Sequence, residues 1–251
     1  MNGRIRIVIQ ARMNSSRLPG KIAADVAGRP MLAYTVGRLQ AAASQAEAGN
    51  WEIVVATTTS PADDATQRLC ESLGVACFRG DENYVLGRYS AAAADLAPHD
   101  TLVRATGDNP LYCPLRTAAI VAEHLLCGNE YTCVEKLSYV VPEVMQVGAL
   151  RRMASLAEDR FCSEHVTPYF RRPDCGFRVG QLPATWRGLR PDIRLTVDTP
   201  AELAHMRRLL ADLDGELLAP LERIYDQCDR AVGRHVSPHE SATDLRKAAV
   251  A

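Results

Sequence analysis

The first half of the chain alternates between two kinds of segment. "IRIVIQ" (5 to 10), "EIVVATT" (52 to 58), "VACF" (75 to 78) and "TLVRAT" (101 to 106) are short, apolar and rich in β-branched residues. Between and after them come longer Ala/Leu-rich stretches: "MLAYTVGRLQAAA" (31 to 43), "ADDATQRLCESLG" (62 to 74), "VLGRYSAAAADLA" (85 to 97) and "LRTAAIVAEHLLCG" (115 to 128). Short β-branched runs bounded by turn residues predict strands, and the longer stretches predict helices. Strands alternating with helices build βαβ units, whose crossovers share one hand and cover both faces of a sheet. The expected fold class is therefore α/β, doubly wound around a mostly parallel sheet. Gly74 and Gly128 fall where a helix needs a left-handed C-terminal residue, and Ser60-Pro61 suits a helix start.

From Tyr131 to about Arg194 the rhythm weakens. "SYVVPEVMQV" (138 to 147) and "GFRVGQL" (176 to 182) are strand-like, and helices are expected over 148 to 158 and 161 to 171. Helical patterns return over 200 to 213 and around 217 to 233. Without a repeat or a low-complexity linker, the reading is one domain over residues 1–235. Residues 131–194 form its smaller irregular central excursion, and residues 236–251, which lack periodicity, form a flexible C-terminal tail.

With 29 Lys plus Arg against 30 Asp plus Glu, the 251-residue chain has a net charge of −1. That balance gives no electrostatic reason to expect a nucleic-acid or membrane-surface partner, so any cationic site must be local. No apolar run approaches a membrane span, and Arg4 and Arg6 precede strand residues rather than a signal core, so a cytoplasmic location is expected. The eight cysteines include no C-x-x-C pair and no zinc spacing. Most are expected to be small buried hydrophobes.

In an open parallel sheet, ligands sit beyond the carboxyl ends of the strands. That rule selects the loops after Gln10, Thr57, Thr106 and Val197, the last read as following a strand "RLTV". The first loop holds Arg12, Ser15, Ser16, Arg17, Gly20 and Lys21, a set suited to several phosphate oxygens, although it is not a Walker A sequence. The loop "RATGDNPL" (104 to 111) brings Asp108 to a strand end, with Gly107 allowing an unusual backbone turn. Magnesium bound to a polyphosphate takes one or two protein carboxylates and keeps several waters, which suits Asp108 with Asp198 as a second ligand. Read alone, Asp108 is equally an Asp-Asn-Pro turn residue, and Asp198 a helix N-cap.

The segments "QARMNSSRLPGK", "VVATTTSPADD", "FRGDENYVLGRY", "VRATGDNP", "EHVTPYF" and "RLTVDTP" follow one another in this order between residues 7 and 203. Together they resemble the spore-coat polysaccharide (SpsF-type) cytidylyltransferases, relatives of the enzymes that make CMP-sialic acid and CMP-Kdo. The resemblance implies a Rossmann-like nucleotidyltransferase that uses CTP and Mg²⁺. The catalytic residues it implies are Arg12, Lys21, Asp108 and Asp198, with the two aspartates holding the metal. The implied nucleotide site adds Gln10, Ala11, Ser15, Ser16, Arg17, Thr57, Arg79, Arg104, Thr106 and Gly107. Arg88, Asn109, Glu143 and His165 are expected at the acceptor, and Lys21 and Arg17 are expected to be exposed loop cations. A homodimer is expected as well.

The chain departs from its relatives where they tend to carry Gly-x-Asp-x-Glu. Of the acidic residues there, only Glu143 remains in "SYVVPEVMQV". Fewer carboxylates beside Arg79, Arg88, Arg171 and Arg172 suit an anionic acceptor: a sugar acid, phosphate or phosphonate. Two alternatives compete with this reading: a glycosyltransferase using a nucleotide sugar, in polysaccharide biosynthesis, and a non-catalytic nucleotide-binding module. The first would release a nucleoside diphosphate, and the second would bind CTP without turnover.

Overall fold

The computed structural model describes residues 3–46, 49–157 and 159–235. In chain order, β1 (Arg4–Gln10) leads through a small antiparallel pair, β2 (Asp25–Val26) and β3 (Arg29–Pro30), to helix α1 (Met31–Gln45). Then follow β4 (Asn50–Thr58), α2 (Asp64–Ser72), β5 (Ala76–Gly80), α3 (Val85–Ala92), β6 (Thr101–Thr106) and α4 (Pro114–Cys127). After these come β7 (Tyr131–Val134), β8 (Glu143–Gln146), α5 (Val147–Leu156), α6 (Arg160–His165), β9 (Val179–Leu182), α7 (Pro200–Ala211) and α8 (Leu221–His235). The expected tail, 236–251, lies outside the described residues.

Seven strands form one sheet in the order β5-β4-β1-β6-β8-β7-β9. All neighbours are parallel except β8, which runs against both β6 and β7. Side chains alternate across a strand, so β1 feeds two cores at once. Ile7 and Ile9 pack with α1, α4, α7 and α8, while Val8 on the opposite face packs with α3, α5 and α6. All three are wholly buried, which explains why β1 reads as an unbroken apolar run. Six of the cysteines are buried and all eight are free thiols. Among the described residues, no helix is long and apolar enough to cross a membrane.

The central segment departs from expectation in an instructive way. Its strands join the main sheet, and β7 is a strand that hydropathy had not singled out. The expected strand at 138 to 147 shortens to Glu143–Gln146, and the helix expected over 161 to 171 breaks into α6 and a 3-10 turn at Pro168–Arg171. Pro168 cannot continue a helix, since it lacks an N–H and crowds the preceding turn. "RLTV" is not a strand either. Leu195 and Val197 are fully buried, but in coil, and Val197 N donates to Asp108 O at 2.9 Å. An apolar β-branched run looks the same whether a ladder or a buried coil hides it.

Candidate active site

The loop after β1 is fastened from several sides. Met13 N donates to Asp63 Oδ1 at 2.7 Å, and Met13 O accepts from both Ser15 N (2.9 Å) and Gly20 N (2.8 Å). Gly20 has φ 73°, a left-handed conformation that costs glycine little. The turn it makes delivers Lys21 inward. Lys21 is thus not the exposed loop cation expected from sequence: it is 8% exposed, while the side chain of Arg17 is 62% exposed.

The Lys21 ammonium is the centre of the site. Its Nζ donates to Asp108 Oδ2 at 3.0 Å, Asp198 Oδ1 at 2.9 Å and Val197 O at 3.0 Å. Asp198 also meets Arg17 Nη2 at 2.9 Å and Arg194 Nη2 at 3.3 Å. Burial alone would raise the Asp198 pKa, but the Lys21 bond and the surrounding cations outweigh it and hold the carboxyl below its ordinary value. Asp198 is not the helix cap. Thr199 caps α7 in a box with Glu202, whose carboxylate also accepts from Asp198 N at 2.8 Å. The Asp198 carboxylate is left to face the cations.

Asp108 is set by its own loop. Thr106 Oγ1 donates to Asp108 Oδ1 at 2.6 Å and accepts from Asn109 Nδ2 at 2.7 Å. The Thr106 proton is committed to Asp108, so the Asn109 amide must point its NH₂ at Thr106. Gly107 has an ordinary negative φ, and its requirement is space rather than an unusual turn. Its N donates to Gln10 O at 2.8 Å, and a Cβ there would lie 3.0 Å from Ala11 Cβ and 3.3 Å from Ile22 Cγ2. The absence of a side chain lets the loops after β1 and β6 close on each other.

Between these loops is a cavity of about 280 Å³. The structure brings Gln10, Ala11, Arg12, Ser15, Ser16 and Arg17 to one wall, and Lys21, Arg104, Thr106, Asp108, Asp198 and His165 to the others. Arg12 forms no ion pair among the described residues. Ile22, Val85 and Glu164 complete the lining; they carry no polar motif or lie beside one read for another residue. A second cavity of about 400 Å³ shares Arg104, Thr106, Asp108 and Asp198 with the first. Its further walls are Asn109, Ser138, Tyr139, Pro191, Arg194 and Thr196, drawn from coil segments with no periodic signature.

Besides Gly107, which lets the two loops close, four expected site residues do not line either cavity. Thr57 is wholly buried. Arg79 holds the chain after β4, donating to Thr58 O (3.0 Å), Ser60 O (2.8 Å) and Asp64 Oδ1 (2.6 Å). Arg88 is 1% exposed and donates to Asp81 O at 2.6 Å. Glu143, also 1% exposed, is the hub of a closed cluster. It takes Arg104 Nη1 at 2.6 Å, Arg171 Nη2 at 2.5 Å, Tyr131 OH at 2.6 Å and Thr167 Oγ1 at 3.1 and 3.2 Å. Burial would push this carboxyl up, but the two arginines and the Tyr131 bond leave it below its ordinary value.

Between His165 and Thr167 the backbone is strained. Val166 has φ 68° and ψ −60°, and Thr167 N donates to His165 O at 2.8 Å, closing a γ-turn of the rare hand. Such a conformation at a β-branched residue costs about 1–3 kcal/mol and persists only where its surroundings enforce it. Here it turns the chain from His165 on the cavity wall to Thr167 on Glu143.

The Asp108 and Asp198 carboxylates suit a divalent cation that arrives with a polyphosphate. They lean on one ammonium and so lie close together. Two of the partners of Asp198, Arg17 and Arg194, have side chains more than half exposed and are free to exchange for a ligand. Among the described residues no group of three or more His, Cys, Asp or Glu side chains is placed to hold a metal ion by itself.

The mostly parallel sheet, with a cationic loop after its first strand and paired carboxylates beside it, defines a nucleotidyltransferase of α/β type. The cytidylyltransferase family profile matches residues 6–227, and the chain belongs to that family. It is 32% identical over 209 residues to the spore coat polysaccharide biosynthesis protein SpsF of Bacillus subtilis (strain 168), covering 82% of this chain and 85% of that protein. A cytidylyltransferase from Leptospira borgpetersenii superposes with a TM-score of 0.80 at 26% identity, over 92% of this chain and 96% of that one. CMP:2-keto-3-deoxy-manno-octonic acid synthetase complexed with CTP shares the fold, with a TM-score of 0.61 at 19% identity over 84% and 99% of the two chains.

Proposed function

We propose that the protein transfers CMP from CTP to an oxygen of a small anionic acceptor, a sugar acid, phosphate or phosphonate, releasing pyrophosphate with Mg²⁺ held by Asp108 and Asp198. The observation that carries this reading is the cavity in which the cations of residues 12–21 face two carboxylates bridged by one buried ammonium. Arg12, Arg17, Ser15 and Ser16 bind the outer phosphates through charge-assisted bonds. The metal, when bound, neutralises the triphosphate and the pyrophosphate it becomes. An acceptor oxygen attacks the α-phosphorus, the bond to the bridging oxygen breaks, and that oxygen leaves with the electron pair. Lys21 stabilises the departing charge, and orientation supplies much of the remaining rate. An acceptor oxygen that arrives as an anion is already deprotonated and needs no base.

The support for an anionic acceptor shifts from the residues first considered. Arg79, Arg88 and Arg171 are spent on carbonyls and carboxylates elsewhere, and Arg172 donates to Asp159 Oδ2 at 2.5 Å. With Asp108 and Asp198 on the metal, the charges left on the second cavity are Arg104 and Arg194. The test is pyrophosphate release from CTP, ATP, GTP and UTP against a panel of sugar acids, sugar phosphates, alkylphosphonates and neutral sugars. Products are identified by mass spectrometry. CTP-specific release with a CMP-linked anionic product is expected. Transfer to neutral sugars alone would overturn the acceptor class, and release of a nucleoside diphosphate from a sugar nucleotide would favour the glycosyltransferase.

A further inference from the structure

Arg104 stands directly opposite Glu143 in the antiparallel pairing of β6 and β8. Its Nη1 is bound to Glu143 Oε2, and its guanidinium lies over the Tyr89 ring at 5.8 Å. Its Nε is buried and has no hydrogen-bond partner among the described residues. A guanidinium carries its five N–H groups in a rigid fork, so tying one end fixes where the rest point. A buried donor left unpaired is unfavourable and is a place where a ligand gains. Arg104 borders both cavities at their junction. One donor of a fixed cation is thus unpaired in a residue that lines both cavities.

Displacement at phosphorus is in line, so attacking and leaving oxygens lie on opposite sides of the reacting atom. The loop of residues 12–21 lines the first cavity and not the second, and the two cavities share Arg104, Thr106, Asp108 and Asp198. If the outer phosphates occupy the first, the acceptor enters from the second. We infer that Arg104 is the residue that selects the acceptor: its free edge binds an anionic oxygen of the acceptor in the second cavity, and Glu143 is the positioning residue that aims it. The inference rests on the cytidylyltransferase reading of this cavity. Glu143 itself cannot touch the acceptor, since Arg104, Arg171, Tyr131 and Thr167 surround its carboxylate.

The experiment compares R104Q, R104K and E143Q with the unaltered protein. CTP affinity is measured by calorimetry. Methylphosphonate, gluconate and glucose are then titrated into the CTP-saturated protein, observing arginine Nε–H signals by ¹⁵N NMR, with Arg104 assigned by its loss in R104K. The expected result is a shift of the Arg104 signal with gluconate or methylphosphonate and none with glucose. In R104Q and E143Q, anion affinity should fall on the order of tenfold or more, with CTP affinity within about threefold of the original. R104K, which keeps charge but loses the fork, should fall between. A shift produced by CTP alone, an equal loss of CTP affinity in R104Q, or no response to either anion would overturn the inference. Failure of the unaltered protein to bind CTP would instead overturn the functional reading beneath it. A purely structural role for Glu143 would lower thermal stability in E143Q while leaving the preference for anions over glucose unchanged.

Discussion

Two clusters of carboxylates and cations lie within reach of Arg104 and Asp108, and they differ in what they can release. Around Lys21, two carboxylates share one ammonium, and Asp198 also takes Arg17 and Arg194, whose side chains are more than half exposed. Around Glu143, one carboxylate with 1% exposed side chain takes two arginines, a phenol and a hydroxyl. The first cluster faces a cavity, and under the proposed function an incoming anion would claim its arginines while a metal would claim its aspartates. The second is filled, and removing Glu143 leaves the little-exposed Arg104 guanidinium without its carboxylate. Similar residues therefore make an exchangeable site in one place and a fixed support in the other.

The sharpest way to break this comparison is at the aspartates. Asp108→Asn and Asp198→Asn should each lower CTP-dependent turnover on the order of 10³-fold. The double variant should be little worse than either, because groups that act as a unit are not additive. Additive losses, or an Asp198→Asn protein that keeps its Mg²⁺ dependence, would show that the pair does not share a metal. Stability should respond in the opposite sense. Glu143→Gln should cost about 3–5 kcal/mol, and Asp198→Asn less, because Lys21 keeps Asp108 and Val197 O as partners, read from chemical denaturation.

The acid limb of stability sharpens the contrast further. The carboxyls of both Glu143 and Asp198 are held below their ordinary values in the folded protein. Between the folded and unfolded pKa values the unfolded chain binds more protons. Their contribution is therefore complete above the ordinary carboxylate range, near pH 4, and is lost as pH falls through the depressed values. Glu143→Gln should flatten the acid-side fall in melting temperature more than Asp198→Asn does. The smallest effect belongs to Arg17→Ala, where CTP affinity should weaken on the order of tenfold with no change in melting temperature. Unchanged CTP binding by calorimetry would remove Arg17 from the phosphate site.

Much of the first half of the molecule was legible before folding. Strands packed on both faces must be apolar throughout, and β1, β4 and β6 declare themselves by that rule. The cations of residues 12–21 and Asp108 follow strand ends, where an open sheet puts ligands, and all line one cavity. Legibility fails where position depends on distant packing. Arg79 and Arg88 look like site cations, yet each is absorbed by carbonyls of neighbouring turns, an outcome that local residue type does not specify.

Sequence by itself determined the α/β alternation, the cationic loop after β1, the left-handed glycines Gly74 and Gly128, and the family resemblance, since each is a local pattern of residue type and spacing. Tertiary structure alone decided that Lys21 is buried between two aspartates far apart in the chain, and that Asp198 arrives on coil rather than on a strand. It also decided that β8 enters the sheet antiparallel, placing Glu143 against Arg104. Register between strands distant in sequence is set by which faces bury together and by how the connecting turns close. Charge partners chosen by that register leave no trace in the residues on either side of them.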